Sequence, residues 1–467
     1  MNYPVWNLPV LGGSLVVAII AIIHVLISHL AIGGGAFLAV AEIWSDRIPD
    51  GERVRKWLHK FATFFLVYTT VFGAITGVGI WFSIQLASPE ATSLLIHQFV
   101  FAWATEWVTF IGELTILYLY YYGWNSNSRR MQVFLAVAYF VIAWFSLFII
   151  NGILTFMLTP GAWTLENKEI AWGFFNPGFA PSLIIRFMTM CLIAGLAGIL
   201  VASLVKDDDD FKARIIRFSA KWIIPAAIIV PPMVIWYWST LPESSQKMYE
   251  AGVVGVAGGK LEGMARHFWL AVISGALIVV GVAVAAWKPK AVHFATALSL
   301  LLIAQAGIMG AEFFREMARK PYVVNGVLYS NALWKDQSED KSYMSEPYLS
   351  HAKWAPKVKP MSMEHGEWIY RLQCATCHTL DGYRQLTKRT ENWTPSFGVR
   401  FLENLNEQGV MPPFQGTLED RAALTAYFMS LHIKENVPSA TEVLDTYKKE
   451  EKAKAEAMNA SVKEAQK

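Results

Sequence analysis

The chain has 467 residues, of which 54% are hydrophobic and only 16% charged, against about 25% charged in ordinary soluble domains. That balance excludes a single water-soluble enzyme domain and points to a membrane protein. The net charge of +3 leaves no nucleic-acid footprint, because the basic residues are spread along the flanks of apolar runs rather than gathered in a patch.

Apolar runs long enough to cross about 30 Å of hydrocarbon lie near residues 11 to 43, 61 to 87, 95 to 123, 131 to 158, 181 to 205, 219 to 240, 267 to 287 and 291 to 317. They predict eight spanning helices in an all-α bundle over residues 1–322. The first ten residues lack a basic region and the first run exceeds a signal core, so this helix is expected to remain as an anchor. Loops one, three, five and seven carry fourteen lysines and arginines: Arg47, Arg53, Arg55, Lys56, Lys60, Arg129, Arg130, Lys206, Lys212, Arg214, Arg217, Lys221, Lys288 and Lys290. The alternate loops carry four, Lys168, Lys247, Lys260 and Arg266. This asymmetry puts the odd loops in the cytoplasm of a bacterial inner membrane, with the N-terminus and everything after the eighth helix outside.

Ionisable side chains within the runs are the functional candidates, because a charge in hydrocarbon is costly unless it is paired or ligates something. His24 and His29 lie five residues apart, about 140° around the helix, so they cannot share one iron. Glu106 and Glu113, seven apart, fall on one face of the third helix, as a ligand plus a proton relay, or two adjacent cofactors, requires. The fifth run adds Arg186, and the eighth adds Gln305, Glu312, Arg315 and Glu316. His29, His97, His267 and His293 are read as helix-end or interhelical hydrogen-bonding residues, and Cys191 as a packing residue.

Polarity rises after Tyr322. Residues 323–360 read as an extracytoplasmic linker, a tether or surface-hugging strap, and 437–467, rich in Lys, Glu and Ala, as a charged tail. Between them, in 361–436, stands Cys374-Ala375-Thr376-Cys377-His378. Two thiols followed directly by histidine form the attachment signature of a covalent haem c, with Cys374 and Cys377 as thioether donors and His378 as proximal ligand. Met411, in Gly409-Val410-Met411-Pro412-Pro413-Phe414, offers a sixth ligand on a loop stiffened by two prolines. A zinc ribbon needs a second ligand pair, and the one other cysteine is Cys191. Helices are expected at about 364–373 and 418–432, the second with Leu424, Tyr427, Phe428 and Leu431 on one face. The segment resembles a class I cytochrome c.

The membrane half resembles subunit I of the cytochrome bd oxygen reductases. The resemblance rests on the run from His24 through Gly33-Gly34-Gly35-Ala36-Phe37-Leu38 to Glu42, on Glu106 and Glu113 followed by Gly123-Trp124, on Gly73, Gly77 and Gly79 of the second run, and on Glu316-Met317-Ala318-Arg319-Lys320-Pro321-Tyr322. By that resemblance His24 ligates a haem of the high-spin pair, Glu106 or Glu113 ligates or serves the neighbouring haem, and Arg319 pairs with propionates. The implied cofactors are haem b, haem d or both. The implied partners are membrane lipid, a second membrane subunit of bd subunit II type, and an electron-donor cytochrome or respiratory complex.

The sequence departs from that family in three places. Arg186-Phe187 stands where the family has the histidine of its low-spin haem b, with an apolar stretch near Leu270-Ala271 in place of the methionine. The loop that shapes the quinol site shrinks to about residues 241–265. The ligand glutamate of the eighth helix is displaced, with Glu312 about one turn away as its substitute. These departures imply an oxygen reductase subunit fed by its own haem c rather than by quinol, with proton delivery through Glu106, Glu113 or Glu312. The alternative is a non-oxidase electron-transfer subunit of a larger respiratory complex. A haem-copper site needs about six core histidines, whereas five scattered ones occur in or beside the membrane runs. A bare anchor for a cytochrome has no use for intramembrane glutamates.

Overall fold

The computed structural model describes residues 5–206, 208–250, 262–433 and 435–465; Lys260 and the middle of the 241–265 loop lie outside them. Among the described residues eight helices are long and apolar enough to cross a membrane: α1 (Gly12–Ser45), α2 (Gly51–Ala87), α3 (Val100–Tyr122), α4 (Arg129–Phe156), α5 (Phe179–Ser203), α6 (Asp209–Ser239), α7 (Gly263–Trp287) and α8 (Phe294–Ala318). This is a membrane protein. By contact the chain divides into two compact units. One comprises Ala18–Trp81 with Leu95–Arg319; the other gathers the chain up to Val17, Phe82–Leu94 and the chain from Lys320 onward.

Hydrocarbon supplies little hydrophobic drive between helices, so close packing and buried polar bonds must hold the first unit together. A methyl group on Gly33 would lie 2.0 Å from the carbonyl oxygen of Met190, so glycine is what lets α1 meet the α5 backbone. Phe37 stacks on Phe61 with ring centroids 5.0 Å apart, in a core shared by α1, α2, α5 and α6. Glu42 is fully buried. Its carboxylate accepts the Tyr120 hydroxyl at 2.6 Å and pairs with Arg129, which also donates to the Glu42 carbonyl at 2.6 Å and to Asp46 at 2.8 Å. These bonds tie together the ends of α1, α3 and α4.

Helix α2 is interrupted by a π turn at Tyr68–Phe72. The hydroxyls of Thr69 and Thr70 donate to the carbonyls of Phe65 and Leu66, both at 2.7 Å, and such back-bonding competes with the regular ladder. The inserted residue rotates everything beyond it, including Thr76 and Gly77, by about one residue's turn.

In the second unit a hairpin, β1 (Tyr322–Val324) with β2 (Leu328–Tyr329), leads into a bundle of α9 (Met363–Ile369), α10 (Pro395–Glu403), α11 (Leu418–Ser430) and α12 (Ala440–Ala465). The expected strap is part of this bundle. Tyr348 and Ala352 join its core, and the Tyr348 amide donates to Asp420 at 2.9 Å. The charged tail is helical, and its first turns bury Ala440, Val443 and Leu444 against Val399 and Ala422. The N-terminal stretch belongs here too. The Tyr383 amide donates to the Val10 carbonyl at 2.9 Å, and Trp334 Nε1 donates to Glu90 at 3.1 Å.

Candidate haem sites

In the second unit α9 continues as a π turn, Tyr370–Cys374, from which the motif folds back: the amides of Cys377 and His378 donate to the Cys374 carbonyl at 3.1 and 2.9 Å. His378 Nδ1 lies 2.9 Å from the Arg384 carbonyl oxygen. A carbonyl can only accept, so Nδ1 carries the proton and Nε2 keeps the lone pair a metal requires. Burial, aided by the charges of Arg384 and Arg389, lowers the imidazole pKa to about 4, so the ring is neutral at physiological pH.

Met411 is half-buried. Its loop is fixed at Pro413 and just beyond it: Asn331 donates to the Pro413 carbonyl at 3.2 Å, and the Gln373 side chain exchanges two hydrogen bonds with the Gln415 backbone, at 2.7 and 3.3 Å. Because Gln373 immediately precedes Cys374, the loop of the sixth-ligand candidate and the turn of the attachment motif form one hydrogen-bonded piece. An apolar cluster that includes Tyr370, Phe414, Leu424 and Phe428 surrounds this region. The buried Tyr348 hydroxyl has no hydrogen-bond partner among the described residues, and it lies within electrostatic reach of Cys374. An orphaned donor beside the attachment cysteine, in an apolar pocket, fits a porphyrin that brings its own carboxylates.

In the first unit His24 Nδ1 lies 2.9 Å from Thr76 Oγ1. The Thr76 hydroxyl already donates to the Phe72 carbonyl at 2.7 Å, so towards His24 it accepts. His24 therefore donates from Nδ1 and offers Nε2 as a ligand. A methyl group on Gly77 would come within 3.3 Å of His24 Cε1, so glycine leaves the ring room beside α2. These features fit an iron porphyrin.

Glu106 and Glu113 both lie close to the hydroxyl of Ser146 on α4. Glu312 belongs to a separate cluster. It pairs with Arg315 at 2.8 Å and lies within electrostatic reach of Arg186 and His29. Arg319 is buried and donates from Nε to Glu316 at 3.0 Å. His267 Nδ1 lies 2.6 Å from the carbonyl of Gly263 in its own helix, and the ring stacks on Phe313.

Sequence reasoning passed over Thr76, Ser146, Gln373 and Gln415. A lone serine or threonine in an apolar run carries no periodic signal, and the pair of glutamines is 42 residues apart. Thr76, Gln373 and Gln415 each fall beside a residue or motif already singled out, whereas Ser146 has no such cue.

Residues 14–238 match the family model for cytochrome bd terminal oxidase subunit I, and residues 362–428 match that for cytochrome c oxidase, cbb3-type, subunit III. Among solved structures the chain is similar to the bd oxidase from Geobacillus thermodenitrificans, with a TM-score of 0.58 and 16% identity over 67% of this chain and 88% of that one. At that identity the likeness is one of fold. No curated protein matches the chain.

Proposed function

This chain carries a cytochrome bd subunit I-like membrane domain and a cytochrome c domain in one polypeptide, and from that premise we propose an oxygen reductase subunit fed through its own haem c rather than by quinol. Electron transfer in a respiratory membrane is what the two families have in common. The finer reading adds an entrance, a direction and an acceptor.

In the cytochrome unit, Cys374 and Cys377 would hold a haem c, His378 would offer Nε2 as a ligand, and Met411 would offer a second from the loop that Gln373 and Asn331 hold in position. A thioether ligand raises the reduction potential, which suits an entrance that takes electrons from a donor cytochrome or respiratory complex. In the membrane, His24 presents Nε2 under the control of Thr76. A haem b or haem d bound there supplies electron storage and a site for oxygen. Arg319, in partnership with Glu316, is suited to holding porphyrin carboxylates.

Oxygen reduction to water consumes one proton for each electron. Glu106, Ser146 and Glu113 support a relay: the serine hydroxyl both accepts and donates, so a proton can pass between the carboxyls without either leaving the helix bundle. The loop charges support an N-terminus and cytochrome unit on the outer face of a bacterial inner membrane, with a second membrane subunit against the apolar faces that these helices leave exposed.

The observation that carries this reading is the pairing, in one chain, of the haem c attachment motif with a membrane histidine whose Nδ1 is bonded and whose Nε2 is free. Haem extraction from the purified complex, with reduced-minus-oxidised and carbon-monoxide difference spectra, tests it. Haem c together with a CO-reactive haem b or d supports the reading; haem c alone ends it. A second reading, a non-oxidase electron-transfer subunit, draws on Arg186, which stands where the bd family has a haem-ligating histidine and lies within electrostatic reach of Glu312.

A further inference from the structure

Arg186 is a charge in the helix bundle whose hydrogen bonding is incomplete. Its Nε donates to Ser182 at 3.3 Å, Ser182 donates to Asn151 at 2.9 Å, and Asn151 donates to the Phe179 carbonyl at 2.9 Å. This chain of bonds aims the guanidinium. Its two terminal nitrogens make no hydrogen bond among the described residues, although Glu312 and Arg315 of α8 lie within electrostatic reach. Glu312 is bonded to Arg315 instead, which donates from Nε at 2.9 Å, and Arg319 is bonded to Glu316. The charged groups within electrostatic reach of Arg186 are thus one carboxylate, Glu312, already bonded, and a second guanidinium, Arg315. The buried Nδ1 of His29, within electrostatic reach of Arg186 and Glu312, lacks a hydrogen-bond partner among the described residues.

An ordinary structural ion pair does not look like this. Arg186 lies seven residues into α5, about 10 Å along its axis, and a guanidinium held in hydrocarbon with two free NH2 groups costs several kcal/mol. Arginine is half-buried here, as are Glu312 and Arg315, so the described residues do not close over the group. The two parallel donors of one guanidinium are matched by a single carboxylate taken in bidentate fashion.

Resting on the haem-binding reading above, we propose that Arg186 is a carboxylate-binding residue that clamps one propionate of a membrane haem. Ser182 and Asn151 position it, and Glu312 with Arg315 sets the local charge. A carboxylate of a neighbouring subunit has the same chemistry, and the experiment separates the two sources. A cation on the propionate stabilises the reduced haem electrostatically, so its loss lowers the potential of that haem.

The test is a spectroelectrochemical titration of the purified complex carrying Arg186→Gln or Arg186→Lys. In Arg186→Gln the midpoint of one membrane haem is expected to shift to lower potential, or that haem to be lost, with the haem c midpoint unchanged. Arg186→Lys, which keeps the charge and loses the fork, is expected to retain the haem and fall between. An unchanged membrane-haem midpoint in Arg186→Gln overturns the proposal and assigns the arginine to a subunit contact. Should neither variant assemble, redox-difference infrared spectra of the wild type with haem labelled at the propionate carboxyls decide: an ionised, hydrogen-bonded propionate supports the clamp, and two protonated or free ones contradict it. A wild-type complex with no membrane haem at all refutes the functional reading rather than this assignment alone.

Discussion

His24 and Thr76 form a hydrogen bond whose direction is fixed by a third atom. With the Thr76 proton committed to the Phe72 carbonyl at 2.7 Å, the 2.9 Å contact to His24 must run from the imidazole to the hydroxyl. The π turn at Tyr68–Phe72 lies just before Thr76 and sets the rotation that brings its side chain to the ring.

Thr76→Val keeps the shape and removes the acceptor. Partners of this kind contribute roughly 10- to 100-fold in metal affinity or activity, so the high-spin haem signal is expected to weaken or broaden, with haem c intact, and Thr76→Ser to restore it. Reduced-minus-oxidised difference spectra of the three proteins check this.

Ser146→Ala removes the hydroxyl close to both Glu106 and Glu113 while leaving both carboxyls in place. Positioned proton transfer contributes about 10²- to 10⁴-fold, so turnover is expected to fall by at least the lower figure. Haem spectra and the rate of electron entry into haem c stay unchanged. Oxygen uptake measured alongside stopped-flow haem c oxidation checks it.

Gln373→Ala cuts the tie between the Met411 loop and the residue before Cys374, because the Gln373 side chain makes both bonds to the Gln415 backbone. The covalent haem persists, because its thioethers are untouched, but the methionine-to-iron charge-transfer band is expected to weaken and the haem c potential to drop. Met411→Ala is expected to give the full loss of that band. Visible spectra and a redox titration check both.

Glu42→Ala leaves Arg129 and Tyr120 without their buried partner. Breaking a buried ion pair from one side costs about 3–5 kcal/mol, so the complex in detergent is expected to unfold at a lower temperature. Arg129→Lys, which loses the fork but keeps the charge, is expected to cost less. Thermal inactivation with the haem Soret band as readout checks it.

The eight spans were legible because hydropathy follows directly from the cost of unpaired backbone in lipid, and the haem c motif because its five residues are contiguous. The π turn in α2 was not legible: it arises from two threonine hydroxyls competing with the helix ladder, which composition does not reveal. Nor was the folded state of the strap. Its polar sequence reads as linker, yet Tyr348 and Ala352 supply core, and Asp420 takes the Tyr348 amide from 72 residues away. Glu106 and Glu113 could be placed on one face from spacing alone, whereas the hydroxyl close to both comes from another helix and is visible only in three dimensions. The tail was legible as a charged segment, helix or disorder, but the burial of Val443 and Leu444 depended on where α11 lies.

The central claim is that electrons enter oxygen chemistry through haem c. Rapid mixing of the fully reduced complex with oxygen, followed at the haem c α-band, tests it most directly, with steady-state oxygen uptake measured in parallel on Cys377→Ser. Haem c is expected to be oxidised within a turnover, and Cys377→Ser to abolish uptake from a reduced cytochrome donor. A haem c that stays reduced while oxygen is consumed, or a Cys377→Ser complex that respires on quinol at the wild-type rate, contradicts it.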